Sequence, residues 1–236
     1  MNNVVNYSLY LFFGVLPSLV WLNFYLRRDV RPEPKLMIVK IFFYGFWATL
    51  PAFFLETAII REFGKLNLSP FLLAILNIFL GVALIEESLK FLVVKDKVLT
   101  NPEFDEPVDA MIYMIIVALG FAAGENLLVL FPLKSSVFPQ IFGVSLLRFL
   151  GATFLHTLAS GIFGGAIGLS LGSRGKKWQL IFVGLILAVL LHGFYNFSIM
   201  EIEGNLKFLI PSTLLIISAF FVSLCFKKLK KIAIIS

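Results

Sequence analysis

LIEESLKFLVV at residues 84–94 and GFAAGENLLVLF at residues 120–131 decide the fold. Each lies inside an apolar run long enough to cross a bilayer, and a short acidic loop joins the two runs. The first carries Glu86, Glu87 and Lys90 among aliphatic residues. The second carries Glu125 and Asn126 in similar surroundings. Four ionisable groups at membrane depth cost roughly 2.5–3.5 kcal/mol each on insertion scales, which makes function the first hypothesis for these positions.

The rest of the chain fits that reading. Of its 236 residues, 59% are hydrophobic and 14% charged, against roughly 45–50% and 25% in soluble domains. Long apolar runs without strand-type alternation predict an all-α, polytopic membrane protein and argue against an outer-membrane barrel. The net charge of +6 does not point to nucleic acid, because the basic residues cluster in short loops beside apolar runs. Cys225 is the single cysteine, so no internal disulfide can form. MNNVVNYS at the start lacks the basic region of a signal peptide, so the run behind it reads as a retained helix.

Seven spans are expected, at about 7–26, 36–60, 71–94, 109–131, 141–171, 178–200 and 208–226. The fifth is too long for one upright helix. It is either strongly tilted or begins with an interfacial or re-entrant segment around Arg148. Gly161, Gly164, Gly165 and Gly168 in this run form two overlapping small-xxx-small repeats, read as a packing face. Basic residues set the orientation. Thirteen lie on the side of Arg27–Lys35, Lys95–Lys97, Arg174–Lys177 and Lys227–Lys231, and four (Arg61, Lys65, Lys134 and Lys207) on the other. The N-terminus is therefore expected outside and the C-terminus in the cytoplasm of a multi-pass cell-membrane protein. Residues 1–236 form one membrane domain on this reading, with its motifs at about 80–200.

Lys90 stands at i+4 from Glu86 and i+3 from Glu87, so it can meet either carboxylate. The group could be a neutralised ion pair that fixes packing. The second glutamate leaves an uncompensated negative charge, however, which suits a carboxylate that acts as a base on water. Glu56, near the end of the second run, reads as an interfacial carboxylate. Gly120 and Gly124 beside Glu125 allow a helix or a substrate backbone to approach. His156 and His192 are the only histidines, and both lie in membrane runs; Asn196 shares a helix face with His192. Either histidine alone would read as a satisfied core residue. With three glutamates, the two can position water or hold a divalent metal. Arg148 can pair with a carboxylate or a substrate carbonyl. Depth is a difficulty: at 1.5 Å per residue, Glu86 lies ~13 Å and Glu125 ~24 Å from the cytoplasmic ends of their runs. A shared site then needs one helix shifted, tilted or extended.

EESLK at 86–90, EPVDAMIYMIIVALGFAAGEN at 106–126, Arg148 with His156, and HGFYN at 192–196 resemble, in order and type, the PrsW family of intramembrane proteases. The wider group includes CAAX-prenyl endopeptidases and bacteriocin-processing homologues; its second motif is FxxxH, whereas Phe121…Glu125 is the PrsW form. The resemblance covers about residues 80–200. It implies proteolysis of a single-span membrane protein, in bacteria the site-1 cleavage of an anti-sigma factor that starts a stress response. It also implies residue roles. Glu86 would activate water with Glu87 in support, His192 and Asn196 would stabilise the oxyanion, and Glu125 and His156 would complete the site. Lys90, Asn126 and Arg148 would support it. A divalent metal such as zinc, held by Glu86, Glu125, His156 and His192, or a metal-free glutamate mechanism would both suit these residues. The competing reading is a proton- or cation-coupled transporter or channel, since intramembrane Glu, Lys, Arg and His also build proton relays.

Overall fold

The computed structural model of the chain describes residues 3–28, 31–133, 138–173 and 175–235. Among these every regular element is helical: α1 (Asn3–Leu26), α2 (Lys35–Phe63), α3 (Pro70–Ile75), a π-helical stretch (Leu76–Ala83), α4 (Leu84–Lys97), α5 (Pro107–Leu130), a 3₁₀ turn (Phe131–Leu133), α6 (Phe138–Leu150), α7 (Ala152–Leu171), α8 (Lys177–Glu201) and α9 (Leu206–Ile235). Seven spans are long and apolar enough to cross a membrane, with α3, the π-helical stretch and α4 forming one and α6 with α7 another. Lys134 and Arg174, two of the residues counted for orientation, lie outside the described residues, as do positions 135–137 of the expected loop at 132–140.

The seven spans are not equivalent. In the most apolar window of α5, 78% of residues are buried, against 28–44% in the other six. Helix α5 is therefore the axis around which the others pack. Its sequence explains why, because AMIYMIIVALGFAAG has no charge and is rich in small residues, so neighbours can approach all round. On one side Gly45 of α2 lies against the Val117 carbonyl of α5, and Gly120 of α5 against the Phe42 carbonyl of α2. On another, Gly164 and Gly168 of α7 lie against the Ala110 and Pro107 carbonyls. The glycine repeat is thus a packing face, as expected. The small residues near Glu125 receive α2, since Gly124 abuts Phe46 and Thr49. Outward-facing Trp47, Phe54, Phe208, Ile216 and Phe220 give the bundle the apolar surface that a bilayer requires.

The long fifth run resolves into two helices. Gly151 breaks it, with φ −108° and ψ −91°. A Cβ there would collide with the Tyr195 hydroxyl, so glycine lets α8 come close at the bend. Trp21 of α1 fixes the bend by donating to the Phe149 carbonyl at 3.0 Å and stacking on Phe154 at 4.2 Å. Near the other end of α5, the Asp109 carboxylate accepts from the Glu106 amide at 2.7 Å, and Tyr113 donates to buried Glu33 at 2.6 Å. The D…Y part of the long motif thus ties the α1–α2 connection to the start of α5, ~18 Å along the helix from Glu125.

Candidate active site

The π-helical stretch Leu76–Ala83 runs directly into α4. Such segments reset the register of a helix and recur at functional sites. Here it precedes Glu86, Glu87 and Lys90, all three of which are buried. Its Phe79 ring lies where any Cβ at position 193 would go, so Gly193 lets α8 seat His192 beside α4.

Lys90 is the hub. Its ammonium has three donors and no acceptor. They reach Glu86 Oε2 at 3.2 Å, Glu87 Oε1 at 2.7 Å and His156 Nδ1 at 2.8 Å. The Phe121 ring lies 4.5 Å from the buried Nζ, a cation–π contact. These partners fix the tautomer of His156: Nδ1 accepts from a lysine, so the proton sits on Nε2, which donates to Glu125 Oε2 at 2.7 Å. Glu86 and Glu125 thus face opposite edges of one imidazole. The depth difference between their helices is bridged by this ring.

Beyond Glu125 the network continues to Arg148 and Asn126. Arg148 Nη2 lies 2.8 Å from Glu125 Oε2. That is an ion-pair distance without hydrogen-bond alignment, so N–H capacity remains on this nitrogen. Arg148 Nε donates to Asn126 Oδ1, and Asn126 Nδ2 donates to the Gly14 carbonyl at 3.1 Å and to Thr153 at 3.2 Å. Helix α1 is thereby part of the support of the site.

The two adjacent glutamates differ sharply. Glu87 is fully buried and saturated: Oε1 accepts from Lys90 and from His192 Nδ1 at 3.1 Å, and Oε2 from Ser160 at 2.9 Å. Glu86 Oε1 makes no hydrogen bond to any described residue, and Glu86 lines a cavity. Two cavities meet here, sharing Glu125 and Asn196. One of about 480 Å³ runs between α6, α7, α8 and α9, with Arg148, His156, His192, Tyr195 and Lys207 among apolar walls. The other, of about 260 Å³, lies between α2, the π-helical stretch, α4, α5 and α8, with Thr49, Glu56 and Glu86 on its wall.

The candidate site residues Glu86, Glu87, Lys90, Glu125, Asn126, Arg148, His156, His192 and Asn196 all lie in this region. Two assignments change. The donor atoms that gather within 4.8 Å of one another belong to Glu86, Glu87, His156 and His192. Glu87 thus takes the place expected for Glu125, which sits across the His156 ring and pairs with Arg148. His192, expected to donate to an oxyanion, directs its Nδ1 at Glu87 Oε1, 3.1 Å away. Glu56, expected at the interface, lines the site's second cavity. Ser160 gave no signal beyond its place one turn after His156.

The donor chemistry of two carboxylates and two imidazoles suits a divalent metal. The position is already taken, however, because Lys90 Nζ lies within hydrogen-bonding distance of Glu86, Glu87 and His156. A metal there would stand against an ammonium in a low-dielectric interior, so the residues do not fit one while Lys90 holds its place.

Comparison with known proteins identifies the family. Residues 33–225 match the model of the PrsW family, described as intramembrane metalloproteases. This chain belongs to the PrsW family. Relatives named Protease PrsW include those of Geobacillus kaustophilus, 31% identical over 80% of this chain and 79% of the relative, and Bacillus subtilis, 29% identical over 84% and 86%. That of Oceanobacillus iheyensis is 28% identical over 86% and 88%. No solved structure matches the chain. Membership makes the chain a protease, and the chemistry to explain is peptide-bond hydrolysis in a membrane. The transporter alternative loses its ground.

Proposed function

We propose that the chain cleaves single-span membrane proteins with water activated by Glu86, and that its physiological reaction is site-1 cleavage of an anti-sigma factor. The observation that carries this is the asymmetry of the EE pair. Glu87 is consumed by Lys90, His192 and Ser160, while Glu86 lines a cavity and has one oxygen without a hydrogen-bond partner among the described residues.

Glu86 takes a proton from water as the oxygen adds to the scissile carbonyl carbon. Asn196, which lines both cavities, donates to the oxyanion. The unfilled N–H capacity of Arg148 serves a neighbouring substrate carbonyl. Glu86 then passes its proton to the amide nitrogen, the C–N bond breaks, and the new carboxylic acid gives its proton to the amine, so a carboxylate and an ammonium leave. Lys90 and Glu87 hold Glu86 in place, and His156 relays that placement to Glu125 and Arg148. Lys90 donates to Glu86, Glu87 and His156, three of the four groups that could ligate a metal, so no step is routed through zinc.

The substrate occupies the larger cavity, whose apolar walls suit a membrane segment. Helical amides are internally hydrogen bonded, so the cleaved stretch is frayed or extended. With the N-terminus outside and the C-terminus cytoplasmic, Glu125 and His156 lie near the outer ends of α5 and α7. The chain acts as one membrane domain. The test is purified protein in liposomes with a tagged single-span substrate. Glu86→Gln lowers cleavage by roughly 10²–10⁴-fold, the range for loss of a general base, with the protein still folded. Undiminished cleavage by Glu86→Gln overturns the proposal.

A further inference from the structure

The smaller cavity has no assigned role, and it contains a carboxylate that the mechanism leaves unused. Glu56 lies seven residues before the end of α2, ~10 Å inside the span at 1.5 Å per residue. It is half-buried and lines the same wall as Glu86 and Glu125. It makes no hydrogen bond or ion pair to any described residue. A carboxyl group in that setting needs a polar partner whether or not it carries a proton, since neither form is tolerated bare in an apolar medium. The nearest charges do not supply one. Glu86 is held by Lys90, and Glu125 by Arg148 and His156. Phe53, Val82, Phe121, Leu128 and Val129 complete the wall with carbon. The cavity, about 260 Å³, has room for several waters.

We infer that this cavity is the route by which water reaches Glu86, kept hydrated by Glu56, and that it is separate from the larger cavity occupied by the polypeptide. The inference deepens the proposed glutamate mechanism and rests on it. Hydrolysis consumes one water per bond at a carboxylate deep in a membrane protein. A peptide filling the larger cavity blocks that side. The two cavities share Glu125 and Asn196 on their walls, and Glu86 lines only the smaller one, so water arriving past Glu56 reaches Glu86 without crossing the space the substrate fills. Glu56 is a positioning residue here, since it acts through the waters it holds.

The test uses full-length protein in liposomes, in a Cys225→Ser background, with a cationic methanethiosulfonate that reacts only with hydrated thiols. Val82→Cys on the cavity wall is compared with Asn205→Cys in an exposed loop and with bilayer-facing Phe220→Cys. Without substrate, Val82→Cys reacts like the loop control and Phe220→Cys stays silent. Adding Glu56→Leu drops Val82→Cys to the silent level, and Glu56→Gln restores its labelling. The adduct also plugs the cavity of an already folded enzyme. It lowers cleavage by roughly 100-fold, the low end for loss of base-assisted water attack, and a reductant that removes it restores the rate. A silent Val82→Cys, unchanged labelling in Glu56→Leu, or full cleavage by the adduct overturns the inference. These labelling results need no activity, so they stand apart from the Glu86→Gln result, which alone decides the mechanism.

Discussion

Lys90→Met removes the hub and keeps its volume. In the native protein the ammonium donates to Glu86, Glu87 and His156 and is fully buried. Methionine leaves two adjacent buried carboxylates without a counter-charge. Removing one partner of a buried ion pair costs about 3–5 kcal/mol. At about 2–4 °C per kcal/mol for a chain of this size, the melting temperature falls by roughly 6–20 °C. The same change frees Glu86, Glu87, His156 and His192, whose donor atoms lie within 4.8 Å of one another. The variant should therefore acquire near-stoichiometric zinc when loaded and dialysed, and zinc should recover part of the lost stability by binding the folded state. The assay is thermal unfolding in detergent with and without zinc, paired with elemental analysis of both proteins. Stoichiometric zinc on the native protein would refute the reasoning, because it would place a metal where the ammonium is assigned. So would a Lys90→Met variant that melts like the native protein.

Other expectations separate packing from chemistry. Gly164→Leu drives a side chain into the Ala110 carbonyl and Met111 of α5; overpacking costs about 1–3 kcal/mol, so the yield of folded protein falls, whereas Gly172→Ala, with open space around it, leaves the yield unchanged. Tyr113→Phe removes a donor from buried Glu33, costing about 1–3 kcal/mol, and thermal unfolding registers the loss while cleavage per folded molecule is kept. Impermeant thiol labelling of intact cells should mark Asn205→Cys and spare Lys231→Cys in the Cys225→Ser background; the reverse pattern would invert the orientation.

The all-α membrane architecture was legible from the chain because bilayer crossing imposes a local rule. About 20 apolar residues in a row must bond their own backbone, and this can be read one run at a time. The same rule marked Glu86, Glu87, Lys90, Glu125, His156 and His192, since polar groups at that depth need a reason. Spacing along one helix also put Lys90 within reach of both glutamates.

What needed the tertiary structure is every relation between helices. Residues 86 and 125 seemed to sit at different depths, and the bridge between them is the ring of His156, placed by a third helix. Nothing local indicates that Gly151, rather than a tilt, divides the long fifth run, because the collision it avoids is with Tyr195 of α8. Glu56 looked interfacial because it lies near the end of its apolar run. Only the packing of α2 against α5 and the π-helical stretch turns it toward Glu86 and Glu125. The difference between Glu86 and Glu87 is likewise invisible in the sequence. Adjacent and identical, they are told apart by Ser160 and His192, which come from helices more than 70 residues away in the chain. Periodicity and length act within a segment. Which carboxylate is saturated and which faces a cavity depends on donors that only the assembled bundle brings together.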